Sequence, residues 1–502
     1  MRAAAYLPAL LLLAGCAAQP APTGAPTPNA ARQVEQAARL AQQGDRKEAD
    51  RILRGIIGSP SFETLDSRHQ HQALLVDGKL AAQLHDWERA HTLTKRASEM
   101  READASDWYQ RLRTATWKYD HRDAAAALVE LAKRWPQMLI QFETQEAEES
   151  ANLELALWEL LDSGSKADRY TVLRALQDGQ FAEEPGRASF WWEELALLQL
   201  ERGENDAAVA TLSRVTKPFI VISIEVDKRF DPIRPELSAN LDVAKTTERV
   251  IAAALTEAQT NPRSLKSMVR LIGILRHSGR FKEALQVADF AIERQEAEGQ
   301  AAYDDYERYY VWVLNDRAYA LYSLGRWDAA ALQMESASRM SEDGDPNVSQ
   351  LFNLALMYSD LGRPEETLAA LKKAGPASPY GNTVAQDARL KAAVQLKDTK
   401  AVNEALQFLS EHRQDSMSNY QEALLYADRE EEGAKLLISR LVDPRLRGGA
   451  LLAIQQYAEE TLPPQVVLAK RRWQALIARP DVQDAIRAVG YVRRYPLMYD
   501  DY

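Results

Sequence analysis

The sequence predicts an all-α fold, a solenoid of stacked helix–turn–helix pairs, on three observations. From residue 31 onward the chain is rich in Ala, Leu, Glu, Arg and Gln, with apolar residues recurring at the 3.6-residue period of a helix. Gly, Asp or Pro interrupts these runs about every 15–20 residues. One frame of small residues then repeats along the chain, which points to an array of similar units. The 502 residues and 46% apolar content are ample for packed cores. With 73 acidic against 62 basic side chains, the net charge of −11 opposes binding to a phosphate backbone, so no nucleic-acid partner is expected. The single cysteine excludes an intrachain disulfide and any multi-cysteine metal centre.

The first thirty residues form an address. Met1-Arg2 precedes an apolar run from Tyr6 to Ala14, a secretory pattern too short to span a bilayer as a mature helix. Leu13-Ala14-Gly15-Cys16 ends it, and the only cysteine of the chain falls there. This resembles the bacterial lipobox. The resemblance implies a signal peptide over 1–15, lipidation of Cys16, and an acylated N-terminus that anchors stably because more than one chain is attached. Ala17 and Ala18 are not the aspartate that retains such proteins at an inner membrane, which implies the periplasmic face of an outer membrane. Residues 16–30 follow as a tether: Pro20, Pro22, Pro26 and Pro28 forbid regular structure. At about 3.1 Å per residue it reaches roughly 40 Å from the lipid.

Three segments share the repeat frame most clearly. They are Gly279-Arg280-Phe281 with Ala284 and Ala291, Gly325-Arg326-Trp327 with Ala330 and Ala337, and Gly362-Arg363-Pro364 with Thr367 and Ala374. Upstream, Leu314, Ala318 and Leu321 match Leu351, Ala355 and Tyr358. This resembles the tetratricopeptide (TPR) repeat, a helix–turn–helix of about 34 residues in which glycine closes the turn and small residues let the helices approach. Weaker copies lie around Gly44 and Ala49, around His85, Trp87, Ala90 and Ala97, around Asp120, Ala125 and Ala132, and around Trp192, Gly203 and Ala208. The resulting organisation is degenerate TPR-like repeats over 31–216, clear repeats over 241–385, and TPR- or HEAT-like helices over 386–502, including 449–460. Between them, 217–240 is expected to be an extended insert or joint. Phe219 to Val226 is an apolar, β-branched run, and Pro218, Pro232 and Pro235 flank or follow it.

No motif assembles a reaction. The seven histidines lack two-ligand helical spacing, so no metal is expected, and no nucleotide or cofactor motif is present. Ser163-Gly164-Ser165-Lys166 has the letters of a Ser-x-x-Lys pair but sits in a turn between helical runs. The sequence therefore predicts no enzyme, no catalytic residue and no cofactor. Function falls to the groove. The TPR resemblance places Lys266, Arg276 and His277 from the first clear repeat on its concave face, Trp312, Asn315, Tyr319 and Tyr322 from the second, and Phe352 and Asp360 from the third. A basic lip beside aromatics suits an extended or helical peptide. The same aromatics also fit plain packing between neighbouring helices, and Tyr303, Tyr306 and Tyr310 read as a core stripe. Arg317 departs from the frame at a usually apolar position. The expected function is an outer-membrane-anchored scaffold that docks protein partners of the cell envelope, in polysaccharide export, cell-wall synthesis or secretion. The alternative is a glycan-binding protein or envelope enzyme with a site between the 217–236 insert and the Tyr-rich 303–322 region.

Overall fold

The computed structural model describes residues 28–143, 147–179, 188–237, 241–341, 347–458 and 461–499. The signal peptide, Cys16 and the tether up to residue 27 lie outside the described residues. The chain divides into two compact units, Met1–Ala182 and Glu183–Tyr502.

In the first unit, helices α1 (Pro28–Gln42) and α2 (Arg46–Ile57), α3 (Ser67–Gln83) and α4 (Trp87–Ser98), and α5 (Ala105–Trp117) and α6 (His121–Arg134) pack as successive pairs. A 3₁₀ stretch, Pro136–Glu143, leads to α7 (Ala147–Ser163) and α8 (Lys166–Asp178). Asp45, Asp66, Asp86, Asp104 and Asp120 accept backbone N–H groups at the starts of α2 to α6, which ends each pair's turn in the same way. The Ser163–Lys166 stretch is the connector the sequence suggests: Ser165 caps α8.

The second unit opens with α9 (Ser189–Glu201), α10 (Asn205–Leu212) and α11 (Pro218–Val226), then a 3₁₀ turn Lys228–Ile233, α12 (Arg234–Leu237) and α13 (Val243–Thr260). The clear repeats follow as the pairs α14 (Leu265–His277)/α15 (Phe281–Glu298), α16 (Tyr306–Ser323)/α17 (Trp327–Ser338) and α18 (Ser349–Asp360)/α19 (Pro364–Lys373). Two further pairs continue them, α20 (Pro379–Leu396)/α21 (Thr399–Glu411) and α22 (Met417–Tyr426)/α23 (Glu430–Val442). The unit ends with α24 (Arg447–Ala453), α25 (Pro464–Ile477), α26 (Pro480–Val489) and an irregular stretch to residue 499. Among the described residues no strand forms beyond two isolated bridges, so the fold is an all-α, TPR-like array.

The repeat turns show why glycine recurs. Gly279, Gly325 and Gly362 have φ of 71, 72 and 73°, the left-handed region that a Cβ disfavours. At each, the next residue's N–H reaches back to close the helix: Arg280 to Leu275, Arg326 to Leu321 and Arg363 to Tyr358. The small residues behind them, Ala284, Ala291, Ala330, Ala337 and Thr367, are fully buried, which lets the paired helices touch. Arg317 leaves this frame intact because its guanidinium reaches out to Asp289 and Gln333, both at 2.6 Å. The tyrosine stripe is core, as read: Tyr303 and Tyr310 are buried, and Tyr306 stacks on Tyr310.

Three expectations are corrected. The segment 217–240 is not an extended insert: Pro218–Val226 is a helix. Pro218 occupies its first turn, where a missing N–H costs nothing, and Val221, Ile222, Ile224 and Val226 are buried against α9, α13 and α24. A helix apolar all round belongs in a core, and that burial overrides the β preference of its side chains. The tether ends earlier than residue 30, since α1 starts at Pro28 and Ala30 is buried. The expected helix 449–460 is only Arg447–Ala453, because the chain turns at Ile454 to pair with residues 493–497.

Candidate functional site

Three helices of the clear repeats end side by side, and their last turns carry the groove residues. α14 ends in Arg276-His277, α16 places Tyr319 and Tyr322 one turn apart, and α18 ends at Asp360. These residues line one cavity of about 170 Å³, together with Phe281, Asn353, Met357, Glu422, Leu462, Val466, Met498 and Tyr499.

Its charges are internally arranged. Arg276 donates to the buried Asp316 at 3.0 Å and lies over the Tyr319 ring, 4.6 Å from its centre. Burial pushes the Asp316 carboxyl up, while Arg276 and Asn315 oppose it. Across the cavity, Tyr322 donates to Asp360 at 3.0 Å. Burial pushes Asp360 up to about 6, against the opposing pull of Lys391. Burial, reinforced by Asp360, also raises the Tyr322 hydroxyl far above its ordinary range, so it stays protonated. Lys391 sits behind this wall, buried, with its ammonium 2.8 Å from both Asp387 and Glu422. His277 donates from Nδ1 to the Gly273 carbonyl at 2.7 Å, which orients its ring.

The other residues singled out by sequence lie elsewhere. Lys266 is exposed at the start of α14, its backbone N–H bonded to Asp305. Trp312 packs against the hydrophobic core. Asn315 is buried, donating to Asp316 and accepting from Asn353. Phe352 is buried in the core. The region 217–236 contributes Phe219, whose ring is 6.1 Å from His277, and its polar residues are engaged structurally: Asp227 is buried and accepts from Arg229, and Asp231 accepts from Tyr491. Glu422 and the stretch 462–499 were not legible as site residues, because they come from outside the consensus repeats. Among the described residues no cluster of His, Cys, Asp and Glu is placed to hold a metal ion, and no helix is long and apolar enough to cross a membrane.

No known protein family matches the chain, and neither does any curated protein. Solved structures with some likeness include the APC/C hetero-tetramer Cut9–Hcn1, at 13% identity over 91% of this chain and 89% of that one, with a TM-score of 0.30. Yeast Tom70 matches at 9% identity over 91% of this chain and 99% of that one, with a TM-score of 0.28. The TPR domain of P58(IPK) matches at 13% identity over 83% of this chain and all of that one, with a TM-score of 0.21.

Proposed function

We propose that the chain is a protein-docking scaffold of the cell envelope, lipidated at Cys16 and tethered to the periplasmic face of an outer membrane. The observation that carries the docking reading is the convergence of Arg276, His277, Tyr319, Tyr322 and Asp360 on one cavity. At about 170 Å³ it is smaller than the roughly 300–1,000 Å³ of small-molecule clefts, so it suits one side chain of a larger partner. Asp360 and Glu422 on one wall and tyrosine faces on the other favour a basic side chain.

The test is affinity capture of the full-length lipidated protein from cross-linked cells, with mass spectrometry of what is retained. Tyr319→Ala is expected to weaken capture of an envelope partner at least ~10-fold, about 1.4 kcal/mol, with little change in melting temperature, since Tyr319 is only half-buried. Trp312→Ala, by contrast, is expected to lower the melting temperature because it opens the core. Undiminished capture by Tyr319→Ala rules out the groove as the docking site.

The anchoring reading rests on Leu13–Cys16. Cys16→Ser is expected to move the protein from the membrane fraction to the soluble one; tight membrane retention by that variant removes the lipoprotein reading. The glycan-binding or enzyme alternative has one observation in its favour, two carboxylates meeting in a cavity that the chain partly closes. Binding of soluble cell-wall glycan fragments, lost in Asp360→Asn and unaccompanied by any protein partner, would favour it.

A further inference from the structure

The groove of the clear repeats already holds a ligand, and that ligand is the chain itself. After α26, residues 491–499 (Tyr-Val-Arg-Arg-Tyr-Pro-Leu-Met-Tyr) run without regular structure across the turns of α14 and α16. Their contacts are those of an extended peptide on an edge. Gln456 N–H donates to the Arg493 carbonyl at 3.0 Å, Tyr495 N–H to the Gln456 carbonyl at 2.8 Å, and Ala458 N–H to the Leu497 carbonyl at 3.0 Å. Met498 N–H then donates to the His277 carbonyl at 2.9 Å.

The side chains complete the fit. Met498 lies over the turn at Gly279, where an added Cβ would sit 3.8 Å from its Cγ. Tyr499 stacks on Tyr457 with centroids 5.0 Å apart and meets Phe219 edge-on at 5.8 Å. Met498 and Tyr499 thereby form one side of the cavity that Arg276, His277 and Tyr319 line.

We propose that segment 491–499 is an exchangeable occupant of this groove, standing in for an extended segment of a partner protein with the same chemistry. Such a segment pairs its backbone with Gln456–Ala458 and His277, lays a flexible apolar side chain over Gly279, and places an aromatic on the Tyr457–Phe219 pair. This rests on the docking reading above. Two features favour exchange. The segment's main-chain bonds are isolated rather than part of a cooperative helix ladder, and four successive residues, Tyr491 to Arg494, are exposed. Its side-chain anchors outside the groove are few, chiefly the Tyr495 hydroxyl on Glu225 at 2.9 Å and Arg493 near the same carboxylate. Release uncovers the Ala458 N–H and the Gln456 and His277 carbonyls, groups that an added extended segment can satisfy.

Hydrogen exchange on the unaltered full chain tests the release. The Tyr495 and Met498 amides are expected to exchange at least ~10-fold faster than the core amides of α16; exchange as slow as α16 overturns the proposal. A labelled nonapeptide of the sequence Tyr491–Tyr499 tests the occupancy. It is expected to bind full-length Leu497→Asp at least ~10-fold more tightly than the unaltered chain, and equal or absent binding to both overturns the proposal. Because the exchange measurement needs no variant, misfolding of Leu497→Asp leaves the proposal testable. Strap amides as protected as α16, with partner capture still dependent on Tyr319, sink the exchange and keep the docking site. Peptide binding with Tyr319-independent capture does the reverse.

Discussion

Replacing Asp123 by alanine is expected to destabilise the first unit by about 3–5 kcal/mol at neutral pH. Asp123 is almost fully buried and accepts four hydrogen bonds: from Arg111 Nε at 2.8 Å and Nη2 at 2.6 Å, from Lys95 Nζ at 2.8 Å, and from His91 Nε2 at 2.9 Å. The alanine variant leaves the buried Arg111 guanidinium without the bidentate partner that holds it between α4, α5 and α6. Burial alone would push the Asp123 carboxyl up, but the bonds from Arg111, His91 and Lys95 outweigh it and hold the group well below the usual carboxylate range. A folded pKa below the unfolded value of about 3.9 gives stability that is complete above that value and is lost as pH falls below it. The difference between the variant and the parent chain is therefore largest at neutral pH and shrinks in acid. Hydrogen exchange of the α5 and α6 amides in the full chain reads this out region by region, without treating a two-unit protein as a single transition. Unchanged protection in Asp123→Ala at pH 7 would falsify the account.

Lys391→Met is expected to destabilise the second unit by a comparable amount, about 3–5 kcal/mol at pH 7.5, with the opposite pH dependence. Lys391 is buried among Asp387 on its own helix, Glu422 and Tyr426 on α22, and Asp360 at the end of α18. Burial disfavours its charge, but Asp387, Glu422, Tyr426 and Asp360 outweigh that and raise its pKa well above the ordinary value, so it stays charged. The surrounding acids behave differently: burial pushes Asp387 up, and Asp360 up to about 6. An aspartate raised in the folded state contributes stability that is present below about pH 4 and lost as pH rises through its folded pKa. Without the ammonium that loss steepens, because Asp360, Asp387 and Glu422 then face one another uncompensated. The variant should recover much of its stability between pH 7.5 and 5, seen as return of protection at the amides of α18, α20 and α22. A deficit independent of pH would mean that Lys391 acts through packing of its alkyl stem alone.

The repeat frame was legible well beyond the turns that carry glycine. His85, Tyr119, Lys397 and Asp428 adopt the same left-handed turn conformation, with φ of 59–65°. A side chain there costs roughly 1–2 kcal/mol, which the surrounding packing must offset. The consensus is silent at these turns, although Ala90 and Ala97 still follow His85 at the spacing of the clear repeats and are fully buried. The helices after residue 385 escape the consensus for the same reason: Lys397 and Asp428 stand where glycine would announce the turn. Phe219 to Val226 failed differently, since an all-apolar run has no period to separate a buried helix from a strand.

For the candidate site, the sequence by itself determined one wall. Arg276, His277, Tyr319, Tyr322 and Asp360 occupy corresponding helix ends in a repeating frame, and a frame is local, written in residues three to thirty-odd positions apart. The tertiary structure alone decided the rest. It buried Asn315 and Phe352, filled the groove with Met498 and Tyr499, and set Glu422 and Lys391 behind Asp360. Those contacts join residues far apart in the chain through shape and burial, which follow no period, so they exist only once the helices are packed.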